Sequence, residues 1–243
     1  MDDIAEDASR SLSAGARRSA RRSGRGKADI LATAASVVAE RGADGTRFTD
    51  VSQACGVPVS TLQYYFGNRE DLLIAVFRHE CARELAAMAD AVASDDDPWE
   101  QIVRLVRVGV ADGDRSVRTW RTWVEFWRAA LRDDELREDA HGVYRRWREI
   151  VQEVIAKGVA SGRFGADLDP KTISYQLTAL VDGIGIPVAL ADPGLPAGSG
   201  AATGLVTDAV VRLLCLSPAG RGMAGLPSVN GSPADGDGVS TVR

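Results

Sequence analysis

Residues 46–73, TRFTDVSQACGVPVSTLQYYFGNREDLL, decide the fold of this 243-residue chain. They read as two short helices around a tight turn, with a longer helix opening at Asn68-Arg69-Glu70-Asp71-Leu72-Leu73, which is the layout of a helix-turn-helix reader of DNA. Gly56 fits the turn because glycine tolerates positive φ without steric cost. Pro58 suits a helix start, where its missing N–H would have had no partner.

With Val59 to Phe66 helical, an advance of about 100° per residue sets Leu62 and Phe66 on one face and Ser60, Thr61 and Tyr64 on the other. The first face docks on the body of the protein and the second enters a groove. The hydroxyls of Ser60 and Thr61 suit base edges or phosphates, and the Thr61 methyl and Tyr64 ring suit thymine methyls. Gln63 and Tyr65 fall on the borders and reach either a base or the backbone.

The Ala54-Cys55-Gly56-Val57 turn, Ser60-Thr61-Leu62, Tyr64-Tyr65-Phe66 and the Asn68-Arg69-Glu70 helix start together resemble the TetR family of bacterial one-component transcriptional regulators. The resemblance is specific from Lys27 to about Leu73 and looser from Trp99 to Leu216. It implies an all-α chain of about nine helices: a three-helix DNA-binding domain followed by a helical bundle for ligand binding and dimerisation. The chain departs from the family at Pro58, where most members have Ser, at Val59, where a basic or polar residue is common, and at Gln63, where Tyr is usual. The operator sequence is therefore not inherited. Arg47 stands where a Ser or Thr cap is common, which leaves Thr46 as the N-cap or makes Arg47 a phosphate contact. Thr49 and Arg69 are further expected phosphate contacts.

Composition fits two helical parts. With 45% hydrophobic and 26% charged residues the chain can bury a sizeable core. No apolar run approaches the ~20 residues of a membrane span, and no secretory leader is evident, so the expected place is the cytoplasm, away from membranes. Cys55, Cys81 and Cys215 are odd in number and widely spaced, arguing for free thiols. His79 and His141 are far apart. No nucleophile elbow, P-loop or dinucleotide fingerprint is present. The expectation is no metal, no cofactor and no catalytic residue.

The net charge of −5 hides an asymmetry. Residues 10–80 carry 11 Lys and Arg against 7 Asp and Glu, whereas residues 81–243 carry 18 against 23. The basic excess lies largely in Arg10, Arg17, Arg18, Arg21, Arg22, Arg25 and Lys27. Such an arm either adds phosphate contacts by counterion release or is simply a solubilising tail. Asp2, Asp3, Glu6 and Asp7 partly cancel it.

Along the chain, a first helix is expected from Lys27 to Arg41, ended by Gly42 and Gly45, and a long connecting helix from Arg69 to about Ala93. Asp97 as cap, Pro98 and Glu100 start the next. Further helices are expected over Arg115–Leu131, Asp133–Ser161, Pro170 to about Pro187 and Ala201–Leu216. The resulting divisions are a basic arm over 1–26, a reader over 27–73, a ligand-binding and dimerisation part over 74–216, and a Gly/Pro/Ser-rich disordered tail over 217–243.

Trp120, Trp123 and Trp127 share one helical stripe, with Phe126 beside them. Tyr144, Trp147 and Val151 form another on the next helix. Facing stripes of this kind either form ordinary core or line an apolar cavity whose ring faces can hold a cation; one or two of these rings are expected to reach a ligand. Glu125 and Glu149 project away from the stripes, so spacing reveals no carboxylate to complete a cation site. WRTWVEFWRAALRDDELR, the YRRWREIV run and GRFGADLDP are similar to effector domains of the choline-responsive BetI group, implying a small cationic or amphipathic effector.

Leu177, Leu180, Val181, Ile184, Leu205, Val206, Val210, Leu213 and Leu214 make the last two helices apolar over much of their surface. The resemblance implies that they pair across a two-fold axis, giving a homodimer that reads a palindromic DNA operator. The sequence thus reads as a ligand-responsive repressor. The rival reading is a helical protein-interaction or membrane-surface adaptor using the basic arm and exposed aromatics.

Overall fold

The computed structural model describes residues 26–94, 97–111, 113 and 115–214. The basic arm up to residue 25, Cys215 and the tail from 217 lie outside them. The described residues form nine helices and no strand: α1 (26–45), α2 (Phe48–Cys55), α3 (Val59–Phe66), α4 (Arg69–Ala91), α5 (Pro98–Gly109), α6 (Ser116–Ala130), α7 (Asp134–Ala160), α8 (Pro170–Ala189) and α9 (Ala201–Leu213).

Helix starts follow local chemistry. Asn68 caps α4 by accepting from the Asp71 N–H at 2.8 Å, and Asp133 caps α7 by accepting from Leu136 at 2.9 Å. Asp97 and Asp169 cap α5 and α8, each followed by Pro at the first helical position. One expected cap is corrected. The residue before α2 is Arg47, not Thr46: the Arg47 N–H donates to Asp50 Oδ2 at 3.0 Å, and the Thr46 hydroxyl instead donates to the Gly42 carbonyl at 2.8 Å. An arginine side chain cannot accept, so Asp50 supplies the cap from inside the helix. At the other end, α8 runs past Pro187 to Ala189. The proline forgoes one helical N–H, and the Pro187 carbonyl is taken up by Asp192 N–H at 3.0 Å.

The apolar residues form two cores that share helices. The first joins α1, α2 and α3 to Leu72, Leu73, Val76, Phe77 and Cys81 of α4, and it draws in Phe126, Ala130, Leu136 and Ala140 from α6 and α7. The second contains Met88 and Ala91 of α4, most of α5, Trp120, and the inner faces of α7, α8 and α9. The helices α4, α6 and α7 therefore each belong to two cores at once. The α6–α8 approach is close because residue 185 is glycine: a Cβ there would stand 2.2 Å from the Trp120 ring.

Several expected interface residues are corrected by this packing. Leu177, Val181, Val206, Val210 and Leu214 are buried within the single chain, on the sides of α8 and α9 that face α5, α6 and α7. Leu180, Ile184 and Leu213 are half-buried. The large hydrophobic side chains exposed in this region are Tyr175, Ile186, Leu190 and Leu205.

Candidate DNA-reading surface and effector cavity

The turn between α2 and α3 is closed by its own residues. Gly56 sits in the left-handed region at φ 68°, Val57 N–H donates to the Ser52 carbonyl at 3.2 Å, and the Ser52 hydroxyl donates back to the Val57 carbonyl at 2.6 Å. Leu62 and Phe66 are buried beneath α3, and the Lys27 ammonium lies 5.2 Å from the centre of the Phe66 ring. That leaves Ser60, Gln63 and Tyr64 exposed, Tyr64 at 84%, with Thr61 half-buried beside them. Tyr65 packs partly against the first core and meets Tyr64 edge to face at 5.5 Å. Arg47 and Thr49 are exposed at the start of α2.

Arg69 is placed differently from its expected role. Its Nε donates to the Thr46 carbonyl at 2.6 Å, one terminal nitrogen to the Ala43 carbonyl at 2.5 Å, and the other pairs with Glu70 at 3.2 Å. Gly42, at φ 73°, breaks the regular backbone near the end of α1, and the guanidinium satisfies carbonyls left there. Arg69 is a clamp between α1 and α4 rather than a free phosphate ligand.

In the second core, Trp120, Trp123, Trp127, Tyr144 and Trp147 converge on one cavity of about 30 Å³, the room of about one water. Trp123 and Trp127 stand 6.2 Å apart, and Trp120 and Trp127 6.1 Å. Phe126 is not among them. One hundred degrees from its tryptophan neighbour on α6, it packs on Phe77 at 5.3 Å in the first core. Val151 is likewise plain core.

Two carboxyls that spacing did not reveal complete the cavity, Glu84 from α4 and Asp182 from α8. Burial pushes the Glu84 carboxyl up to about 8, against the opposing pull of the Trp123 side chain and Arg83, and with added repulsion from Asp182 and Glu80. Burial likewise raises Asp182 to about 6, moderated by the Tyr144 hydroxyl, which donates to its Oδ2 at 2.9 Å, and by Arg148. Tyr144 is held in its protonated form by the same burial and by Asp182. The Trp127 indole nitrogen is buried without a hydrogen-bond acceptor. Aromatic faces beside two carboxyls that a bound positive charge would ionise form an environment suited to a small organic cation.

The back of α6 touches the reader. Thr122 Oγ1 donates to the Ala35 carbonyl at 3.3 Å, Glu125 Oε2 accepts from Ala43 N–H at 2.8 Å, and Arg128 pairs with Asp44 at 2.9 Å. Glu125, which points away from the tryptophans, is thus a seam residue between the two parts. Glu149 is exposed and paired with Arg146. Among the described residues no cluster of side chains suits a metal ion, and no helix is long and apolar enough to cross a membrane.

Residues 30–76 match the family model for bacterial regulatory proteins of the tetR family, and residues 98–214 match the model for the C-terminal domain of BetI-type transcriptional repressors. The HTH-type transcriptional regulator BetI of Burkholderia thailandensis is 28% identical over 189 residues, spanning 77% of this chain and 93% of that protein. The BetI of Burkholderia cenocepacia is 27% identical over 190 residues with the same coverage. Among solved structures, a transcriptional regulator from Saccharomonospora viridis in complex with choline superposes with a TM-score of 0.67 at 23% identity, covering 78% of this chain and 95% of that one. A TetR-family regulator from Rhodococcus sp. gives 0.64 at 24% identity, covering 78% and 99%. The chain belongs to the TetR family of DNA-binding transcriptional regulators, with a C-terminal domain of the BetI type.

Proposed function

We propose that this regulator is a homodimeric repressor released from a palindromic operator by a small organic cation. The observation that carries the proposal is the position of α6: its front lines the aromatic and acidic cavity, and its back holds α1 of the reader through Thr122, Glu125 and Arg128. Ser60, Thr61, Gln63 and Tyr64 form the base-reading face, bordered by Tyr65, with Arg47 and Thr49 beside the phosphates.

A cavity of about 30 Å³ does not hold a quaternary ammonium as it stands. Entry of such a cation must part the rings of α6 and α7, and movement of α6 carries α1 with it. The cation acts through its higher affinity for the parted state, whose two readers no longer match successive major grooves. The choline held by the structural relative from Saccharomonospora viridis supports this choice of ligand class.

The test is fluorescence anisotropy of labelled DNA from upstream of the gene, titrated with the protein alone and then with choline or tetramethylammonium. The expected result is tight binding that the cation weakens. DNA affinity unmoved by either cation at millimolar concentration would refute release by a cation.

A further inference from the structure

The two carboxyls of the cavity are not equivalent. Asp182 is already provided for: it accepts the Tyr144 hydroxyl at 2.9 Å and lies in the field of Arg148. The Arg148 guanidinium stacks over the Tyr175 ring at 4.5 Å and over the Tyr144 ring at 5.8 Å, and it forms no salt bridge among the described residues. Arg148 therefore puts a resident cation behind Tyr144, at the Asp182 end of the site.

Glu84 is provided for differently: the Trp123 side chain and the charge of Arg83 pull on its carboxyl, and no hydroxyl donates to it among the described residues. Its chain neighbour Arg83 is turned to Glu80, with its Nε at 3.1 Å and a terminal nitrogen at 2.6 Å from the same carboxylate oxygen. Glu84 stands between the tryptophan wall of the cavity and an outer groove lined by Arg83, Arg107, Arg115 and Arg118, and it is the carboxyl nearest the rings on the α4 side.

We infer that the cavity selects a cation of single charge, with Glu84 as its counter-ion, and that Arg148 is the specificity-determining residue that excludes a second charge from the Asp182 end. The Asp182–Tyr144 pair, together with the Thr178 hydroxyl lining the same end, is then left to hold an uncharged polar group such as an alcohol. This rests on the proposed reading of the cavity as a cation site. The physical ground is that a dication would bring its second charge toward a guanidinium that already lies behind Tyr144 and is attracted to Asp182, and like charges repel.

The experiment measures binding of choline, tetramethylammonium and 1,4-diaminobutane by tryptophan fluorescence to the full-length protein and to Glu84→Gln, Asp182→Asn, Arg148→Gln and Arg148→Lys. Choline should bind the wild type and diaminobutane at least tenfold more weakly. Glu84→Gln should cost choline tenfold or more, and Asp182→Asn less than Glu84→Gln. Arg148→Gln should shift the choline to diaminobutane preference by tenfold or more toward the diamine, while Arg148→Lys, which keeps the charge, retains the wild-type preference. Thermal melts of each variant separate loss of binding from loss of fold.

An unchanged preference in Arg148→Gln, or an equal loss in Asp182→Asn and Glu84→Gln, overturns the assignment. Failure of all three cations to bind the wild type overturns instead the cation reading beneath it.

Discussion

Glu125 Oε2 accepts the backbone N–H of Ala43 at 2.8 Å, joining two residues 82 positions apart across the seam between reader and effector part. Replacing Glu125 by Ala leaves that N–H, on a buried residue, without its acceptor, at a cost of about 1–3 kcal/mol. Arg128, which Glu125 also holds at 3.1 Å, loses a partner as well. The expected outcome is a lower melting temperature, effector binding within a few fold of wild type, and weaker release of DNA at saturating effector. Melts and anisotropy on the same preparation check all three.

Acid–base behaviour follows from Glu84. Its carboxyl titrates at about 8 in the folded chain against an ordinary value of 4.5, so between these limits the folded state binds the more protons. The stability of the empty protein should then fall as pH rises from about 5 to 8. Asp182, raised to about 6 from 3.8, adds to the lower part of that window. Glu84→Gln should flatten the upper part. A bound cation favours the ionised carboxylate, so its thermal stabilisation should grow with pH over the same range. Melting curves at pH 5, 6, 7 and 8, with and without choline, are the check.

The reader offers a contrasting pair. Tyr64 is 84% exposed, and Tyr64→Ala should leave stability within about 0.5 kcal/mol of wild type while changing sequence preference. Arg69→Ala should behave in the opposite way, because it frees the carbonyls of Ala43 and Thr46. Its melting temperature falls, and the dependence of DNA affinity on salt keeps its slope, whereas loss of a direct phosphate contact would lower that slope by about one. Denaturation and a salt titration of anisotropy separate the two roles.

The helices were legible in the sequence because their signals are local: Gly56 and Pro58 at the turn, Asp97-Pro98 and Asp169-Pro170 at two helix starts, and apolar residues at helical spacing. The aromatic half of the cavity was legible for the same reason, since Trp120, Trp123 and Trp127 lie on one stripe of one helix. The acidic half was not. Glu84 and Asp182 reach the cavity from α4 and α8, and periodicity within one helix cannot reveal which faces of distant helices meet. Asp182 did carry a weak signal, being the one carboxylate within α8 and set among apolar residues of its C-terminal half. Glu84, among Glu70, Asp71, Glu80 and Asp90 of α4, carried none. Arg69 misled because a basic residue at a helix start suggests an anion, while the carbonyls it clamps become available only through the chain path at Gly42.

Close packing between α6 and α8 gives a further test. A methyl group at residue 185 would collide with the Trp120 ring, whose indole N–H is fixed to the Val110 carbonyl at 2.9 Å. With the ring unable to yield, Gly185→Ala should force the helices apart and cost about 1–3 kcal/mol. Effector affinity should change with it, since Trp120 lines the cavity. The melting temperature and choline titration of this variant, beside Gly204→Ala, where the added methyl meets nothing within 4 Å, provide the comparison.

A dimer paired through α8 and α9, as proposed, would use their outer surfaces, because Leu177, Val181, Val206 and Val210 are already buried within one chain. The large hydrophobic side chains left outside are Tyr175 at 53%, Ile186 at 46%, Leu190 at 76% and Leu205 at 57% exposure, with Leu180, Ile184 and Leu213 at the borders. A charge placed in the middle of a closed two-fold interface appears twice, so one substitution counts in both copies. Leu205→Glu should therefore give a folded monomer. Its helical circular dichroism should match wild type, its mass by light scattering should halve, and its affinity for a palindromic site should fall toward that for one half-site. Val206→Glu, one residue along but directed into the core, should instead unfold the chain. A Leu205→Glu protein that remained dimeric would place the interface elsewhere on the surface.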